Sequence, residues 1–189
     1  MAAPLKNPSP DEFLQSLDQI DLIQAVCHGE FDPWQLDKSG IQVGGDALLS
    51  CARILAEVAC KRTALVVLCA CRSGRSRSED FGAEWLGLSG VLLRRGVQSV
   101  LAALWDVDYT ASFHLSCEFF KHLIDRQQPV AIAASEAMRA LLITGRSAKH
   151  NADAHWFLEG RDQTMIPRLR RLLDSPWLWT CMQSVSVAT

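Results

Sequence analysis

No stretch of this 189-residue sequence reaches the ~18 consecutive apolar residues of a membrane-crossing helix. Neither sign of charge dominates: Lys+Arg number 19 and Asp+Glu 21, for a formal net charge of -2. A protein built to displace counterions from a phosphate backbone carries a basic face, so nucleic acid is not an expected partner. The first ten residues include Pro4, Pro8 and Pro10 and lack the charged stretch and apolar segment of a secretory leader, which predicts residence in the cytoplasm. Cysteine is not scarce. The seven thiols, at positions 27, 51, 60, 69, 71, 117 and 181, nevertheless lack the dense, even spacing of a secreted disulfide scaffold and are read as reduced. Cys69-Ala70-Cys71 is too tightly spaced for the common zinc pairings, and no second Cys/His pair completes a tetrahedral set. Neither a metal nor any other cofactor is expected.

What the sequence does contain is an alternation of strand and helix patterns. At 49% hydrophobic, its length suits one globular domain over 11–187 behind a flexible lead-in at 1–10. Ser9-Pro10-Asp11-Glu12 followed by Phe13, Leu14 and Leu17 predicts a capped helix over 11–18. Positions 21–27 read as a buried strand, and 39–46 as a small hairpin arm ending in Gly44-Gly45. A helix is expected over 47–59. The run 63–70 (TALVVLCA) is the strongest strand pattern, unbroken and apolar as in strands buried on both faces of a parallel sheet. A helix over 81–95 should end at Gly96 in the left-handed conformation, before a second buried strand at 97–104. Apolar spacing predicts helices over 110–126 and 130–142, and a last strand over 178–187. Between them, about 145–174 reads as an irregular insertion. Such alternation predicts an α/β three-layer sandwich around a mainly parallel sheet.

In sheets of this kind the working surface lies at the carboxyl ends of the strands. Three predicted strand ends carry unusual residues: His28-Gly29, Cys71-Arg72-Ser73-Gly74, and Trp105-Asp106-Val107-Asp108. A thiol needs a partner to become a nucleophile near neutral pH, because only the thiolate attacks and free cysteine has a pKa of roughly 8.5. A histidine on a neighbouring strand end can supply that partner. Cys71 lies 43 positions after His28, room for a strand, a crossover helix and a second parallel strand.

Cys69-Ala70-Cys71-Arg72-Ser73-Gly74 departs from the caspase pattern Gln-Ala-Cys-[Arg/Gln/Gly]-Gly at Cys69 and at the added Ser73. Four strings together carry a closer likeness: His28-Gly29-Glu30-Phe31-Asp32, the Leu-x-Ala-Cys-Arg-Ser-Gly of Leu68 to Gly74, Ala103-Leu104-Trp105-Asp106-Val107-Asp108, and Ser175-Pro176-Trp177-Leu178-Trp179. In this order they resemble the CHAT domain, a caspase-like module associated with TPR repeats and grouped with separases, caspases and gingipains. The resemblance implies a caspase-like fold and a cysteine endopeptidase acting on a protein or peptide substrate. Cys71 would attack the scissile carbonyl, His28 would accept and return the proton, and the backbone N–H groups of Gly29 and Cys71 would hold the oxyanion. The segment at Asp106 and Asp108 looks like the Leu-Trp-Asp-Val of separases, implying that these acids receive a basic P1 side chain. Arg72 is the competing reading, since a guanidinium there would select an acidic P1. Control by a partner or by other domains is implied too. Relatives place a strand–helix–strand unit before the histidine strand, whereas 27 residues precede His28 here. The N-terminal strands are therefore expected to be missing, leaving a sheet edge open to self-association or to another polypeptide.

Two other functional classes fit the same strings: a catalytically silent interaction module, and a thiol-dependent acyl hydrolase or transferase. Cys27, Cys51, Cys60, Cys69, Cys117 and Cys181 are read as small hydrophobes. His114 and His122 on a predicted helix, and His150 and His155 in the insertion, have no assigned chemistry. Trp105 is read as cleft or core, and Arg72, Arg75 and Arg77 as a solvated loop.

Overall fold

The computed structural model describes residues 5–70, 87–103, 109–150 and 182–186, which fall into two compact units, 1–107 with 182–189, and 108–181. The first unit opens with α1 (Pro10–Gln19). Ser9 caps it through the Glu12 N–H at 3.3 Å, and the Glu12 carboxylate accepts from the Ser9 N–H at 2.7 Å, which holds the Glu12 carboxyl below its usual range. Pro10 takes the first turn, where its missing N–H costs nothing, and Phe13, Leu14 and Leu17 turn inward.

The main sheet has the order β1-β5-β6-β7, comprising β1 (Leu22–Val26), β5 (Leu65–Cys69), β6 (Ser99–Ala103) and β7 (Met182–Ser186). The first three run parallel, and β7 is antiparallel to β6. Every residue of β5 is buried, as its unbroken apolar run requires. Ile23 and Ala25 of β1, Val66 and Leu68 of β5, and Val100 and Ala102 of β6 share one face. They form a continuous core with α1, with Cys51 and Ile54 of α2 (Cys51–Glu57), and with Leu88, Val91 and Leu92 of α3 (Leu88–Arg94). The α/β class with a parallel sheet is thus as expected.

Beside it lies a small antiparallel sheet of β2 (Gly29–Glu30), β3 (Gly40–Val43) and β4 (Ala47–Ser50). Here the structure corrects the sequence reading, which begins a helix at Ala47. Gly44 and Gly45, at φ +61° and +91°, turn the chain so that Val43 pairs with Ala47 and Gln42 with Leu48. The hairpin ladder outweighs the helix preference of Ala-Leu-Leu, and helix starts only where the Ser50 side chain caps it through the Arg53 N–H. Gly96 ends α3 at φ +110° as predicted, with the Val97 N–H returning to the Leu92 carbonyl at 3.1 Å.

One buried hydroxyl ties α1 to the sheet. Thr63 is 1% exposed, and its Oγ1 lies 2.7 Å from the Ile20 carbonyl and against that of Leu17, while the next residue's N–H donates to Asp21 at 2.8 Å. Thr63→Val keeps the shape and leaves both carbonyls without that donor. A loss of about 1–2 kcal/mol in urea unfolding is expected, with Thr63→Ser close to wild type. Equal stability of the valine variant would contradict the assignment.

In the second unit, α4 (Tyr109–Phe120) continues into a π-helical turn (Lys121–Asp125) and is followed by α5 (Val130–His150). Leu115 and Phe119 are buried on α4, and Ala133, Ala134, Ala137 and Leu141 on α5. His122 is buried, with Nδ1 2.8 Å from the Gln128 side-chain oxygen, which makes it a satisfied core histidine. The sequence reading ends α5 at Leu142, yet the helix continues through Gly145 to His150. One glycine costs a helix only ~1 kcal/mol, and here it does not end it. The rest of the expected insertion, 151–174, lies outside the described residues, as do 81–86 of the predicted helix before Gly96.

Candidate active site

The parallel register brings the carboxyl ends of three strands to one level. Val26 pairs with Cys69, and Leu68 with Ala102, so β1, β5 and β6 finish together at the same sheet edge. His28 follows Val26 by two residues and is exposed there. Cys71 occupies the matching place in the sequence, two residues after Cys69, and itself lies outside the described residues. So do Arg72, Asp106 and Asp108, the last two following β6 in sequence. Of the expected site, the structure therefore describes His28 and Gly29.

The two are held by the small sheet. The Gln42 N–H donates to the His28 carbonyl at 2.8 Å, and Gly29 pairs with Ile41. In an antiparallel ladder, hydrogen-bonded and non-hydrogen-bonded pairs alternate, so a bonded 28–42 pair makes 29–41 the non-bonded one. The Gly29 N–H therefore points away from β3. No described residue accepts from it, and the sequence alone could not reveal this direction, because it follows from a register set by Gln42.

After β2 the chain makes a braced loop. The Asp32 carboxylate accepts from the N–H groups of Trp34 at 2.8 Å and Gln35 at 3.1 Å, and the buried Ser39 hydroxyl lies 2.9 Å from both the N–H and the carbonyl of Asp32. The loop carries the Trp34 side chain at 74% exposure. In the sequence, the signal for this turn is the Asp32-Pro33 that precedes Trp34.

The described thiols divide by environment. Burial pushes Cys27 up to about 12, reinforced by nearby Cys69, and pushes Cys51 to about 12 and Cys60 to about 11. None of these three is a thiolate near neutral pH, which fits their reading as small hydrophobes. Cys69 is buried, with the Gln24 side-chain amide 3.8 Å from its sulfur. Cys117 differs from expectation: it sits on α4 and is exposed, not packed inside. Burial lowers the His114 pKa, the larger effect against a weaker opposing pull from Glu118. Among the described residues, no three His, Cys, Asp or Glu side chains are grouped to hold a metal ion, and no helix is long and apolar enough to cross a membrane.

The family model of the CHAT domain matches residues 4–185, nearly the whole chain. The chain belongs to the CHAT domain family. That assignment agrees with the parallel α/β sheet and places the protein in a group related to caspases and separases. No curated protein matches this CHAT domain.

Proposed function

We propose that this CHAT domain is a cysteine endopeptidase, with Cys71 as nucleophile and His28 as general base and acid. The observation that carries the proposal is the β1–β5 register: His28 and Cys71 each follow, by two residues, the members of one cross-strand pair, Val26 and Cys69. A neighbouring parallel strand is the arrangement in which residues so matched are within reach of one another. Cys71 sulfur bonds to the scissile carbonyl carbon as its proton passes to His28, and the oxyanion takes the N–H groups of Gly29 and Cys71. Collapse breaks the C–N bond, and the amine leaves with the proton from His28. Water, deprotonated by His28, then attacks the thioester, releasing the acid and restoring the thiol. Asp106 and Asp108 receive a basic P1 side chain, whereas Arg72 in that role would select an acidic one. The described cysteines, Cys27, Cys51, Cys60, Cys69 and Cys117, are reduced thiols, which suits a reducing compartment such as the cytoplasm. Access to the dyad is governed by a regulatory partner or by other domains.

Chloromethyl ketone peptides with Arg or Asp at P1 test the assignment directly. The expected result is stoichiometric alkylation of Cys71 by the Arg probe, read by peptide mass, with Cys27, Cys51 and Cys60 unmodified because burial keeps them protonated. Preference for the Asp probe would assign the pocket to Arg72. A folded protein in which neither probe reaches Cys71 would be an interaction module, and labelling by small acyl reagents alone would point to a non-peptide acyl substrate.

A further inference from the structure

Strand β1 stands at one end of the main sheet with β5 as its single neighbour among the described residues. The Asp21 carbonyl accepts from the Leu65 N–H at 3.2 Å and fixes which residues face inward. In a parallel ladder every second residue turns its N–H and carbonyl to the neighbour, so those of Leu22, Gln24 and Val26 face away from β5. These residues are also the exposed ones of the strand, Leu22 at 36% and Val26 at 58%. Natural sheet edges are blunted by charge, proline or a bulge. From Leu22 to Cys27 this edge has no charged residue and no proline, and its register with β5 is unbroken.

The strand is complementary to itself. Antiparallel pairing about a two-fold axis at Gln24 sets Leu22 opposite Val26 of a second copy, Gln24 opposite Gln24, and Val26 opposite Leu22. All three outward residues then form hydrogen-bonded pairs, about six backbone bonds in all, and the exposed apolar side chains meet one another. Charge agrees with this register. No like charges come opposite along the strand, and Asp21 of each copy faces Cys27 of the other, one position from its His28. A net charge of -2 per chain opposes association only weakly.

We propose that two copies of this chain pair antiparallel through β1, joining their main sheets into one continuous sheet. The inference is independent of the peptidase reading. Light scattering across ~1–200 μM protein is expected to show a dimer mass that dissociates on dilution. Gln24→Lys and Gln24→Glu each place like charges opposite one another at the two-fold axis, so each variant alone should raise the dimer Kd by about tenfold or more. Gln24 is exposed, and the thermal melts of the variants check that they fold. Mixing the two in equal amounts should restore the dimer, because an ammonium on one copy then faces a carboxylate on the other across the axis. A wild type that stays monomeric throughout overturns the proposal and assigns the edge to another polypeptide or to further chain before it. Dimers unaffected by either substitution, or a mixture that fails to recover, overturn it as well, since association would then use another surface.

Discussion

Cys71→Ala is expected to bring cleavage of a peptide with Arg at P1 down to background, a fall in kcat of ~10⁴-fold or more, and His28→Ala to lower it by ~10³-fold. The two losses should not multiply. Nucleophile and base act as one unit, so the double variant is expected to be no slower than Cys71→Ala alone. Stability should hardly change with His28→Ala, because the side chain is exposed and its link to the small sheet runs through its backbone carbonyl to the Gln42 N–H. Activity and unfolding measured on the same preparations therefore separate chemistry from folding. Retained activity in either single variant would remove the dyad. An activity that depends on Cys117, the exposed thiol of α4, would move the chemistry to the second unit.

Much of the frame behind this prediction is legible in residues that admit few alternatives. Ser9, Pro10 and Glu12 together specify a helix start, and each occupies the position its chemistry suits. Thr63 to Ala70 has no charged residue to place on a solvated face, so burial within a parallel sheet is the outcome left to it. Gly96 follows a run that only a left-handed residue can end this way. Elsewhere local and long-range preferences disagree. Ala47-Leu48-Leu49 favours helix over a short window, but Gly44-Gly45 brings the chain back on itself, and pairing with Gln42 and Val43 decides the outcome. At Gly145 the opposite happens, with a residue that weakens helices absorbed inside a long one. The site shows the same division. His28 stands out as a histidine at a strand end followed by glycine, a pattern of side chains. The outward direction of the Gly29 N–H is a property of register, and register comes from pairing with a strand twelve residues away that no local pattern specifies.

That pairing depends on Gly40, where the largest single loss of stability is expected. Gly40 sits in the middle strand of the small sheet, opposite Glu30 on one side and Ser50 on the other. A Cβ placed there would come 2.1 Å from the Leu49 carbonyl oxygen and 2.9 Å from both the Leu49 carbonyl carbon and Ser50 Cα. All three are backbone atoms of β4, so no side-chain rotation relieves the overlap. Either β3 separates from β4 or the strand end at Ser50, which caps α2, moves with it. Gly40→Ala is expected to cost about 3 kcal/mol or more, a fall of roughly 6–12 °C in Tm for a chain of this size. Gly45→Ala provides the contrast. Its Cβ meets nothing within 4 Å, but the residue sits at φ +91°, so it should cost only the conformational strain, about 1–2 kcal/mol. Equal losses at the two positions would mean that backbone conformation and not strand contact governs the hairpin. Because the Gln42 N–H holds the His28 carbonyl from the same strand as Gly40, Gly40→Ala should also lower kcat at temperatures where the protein remains folded, with KM less affected. A variant that loses stability but keeps full turnover would show that the small sheet supports the fold without positioning His28 and Gly29.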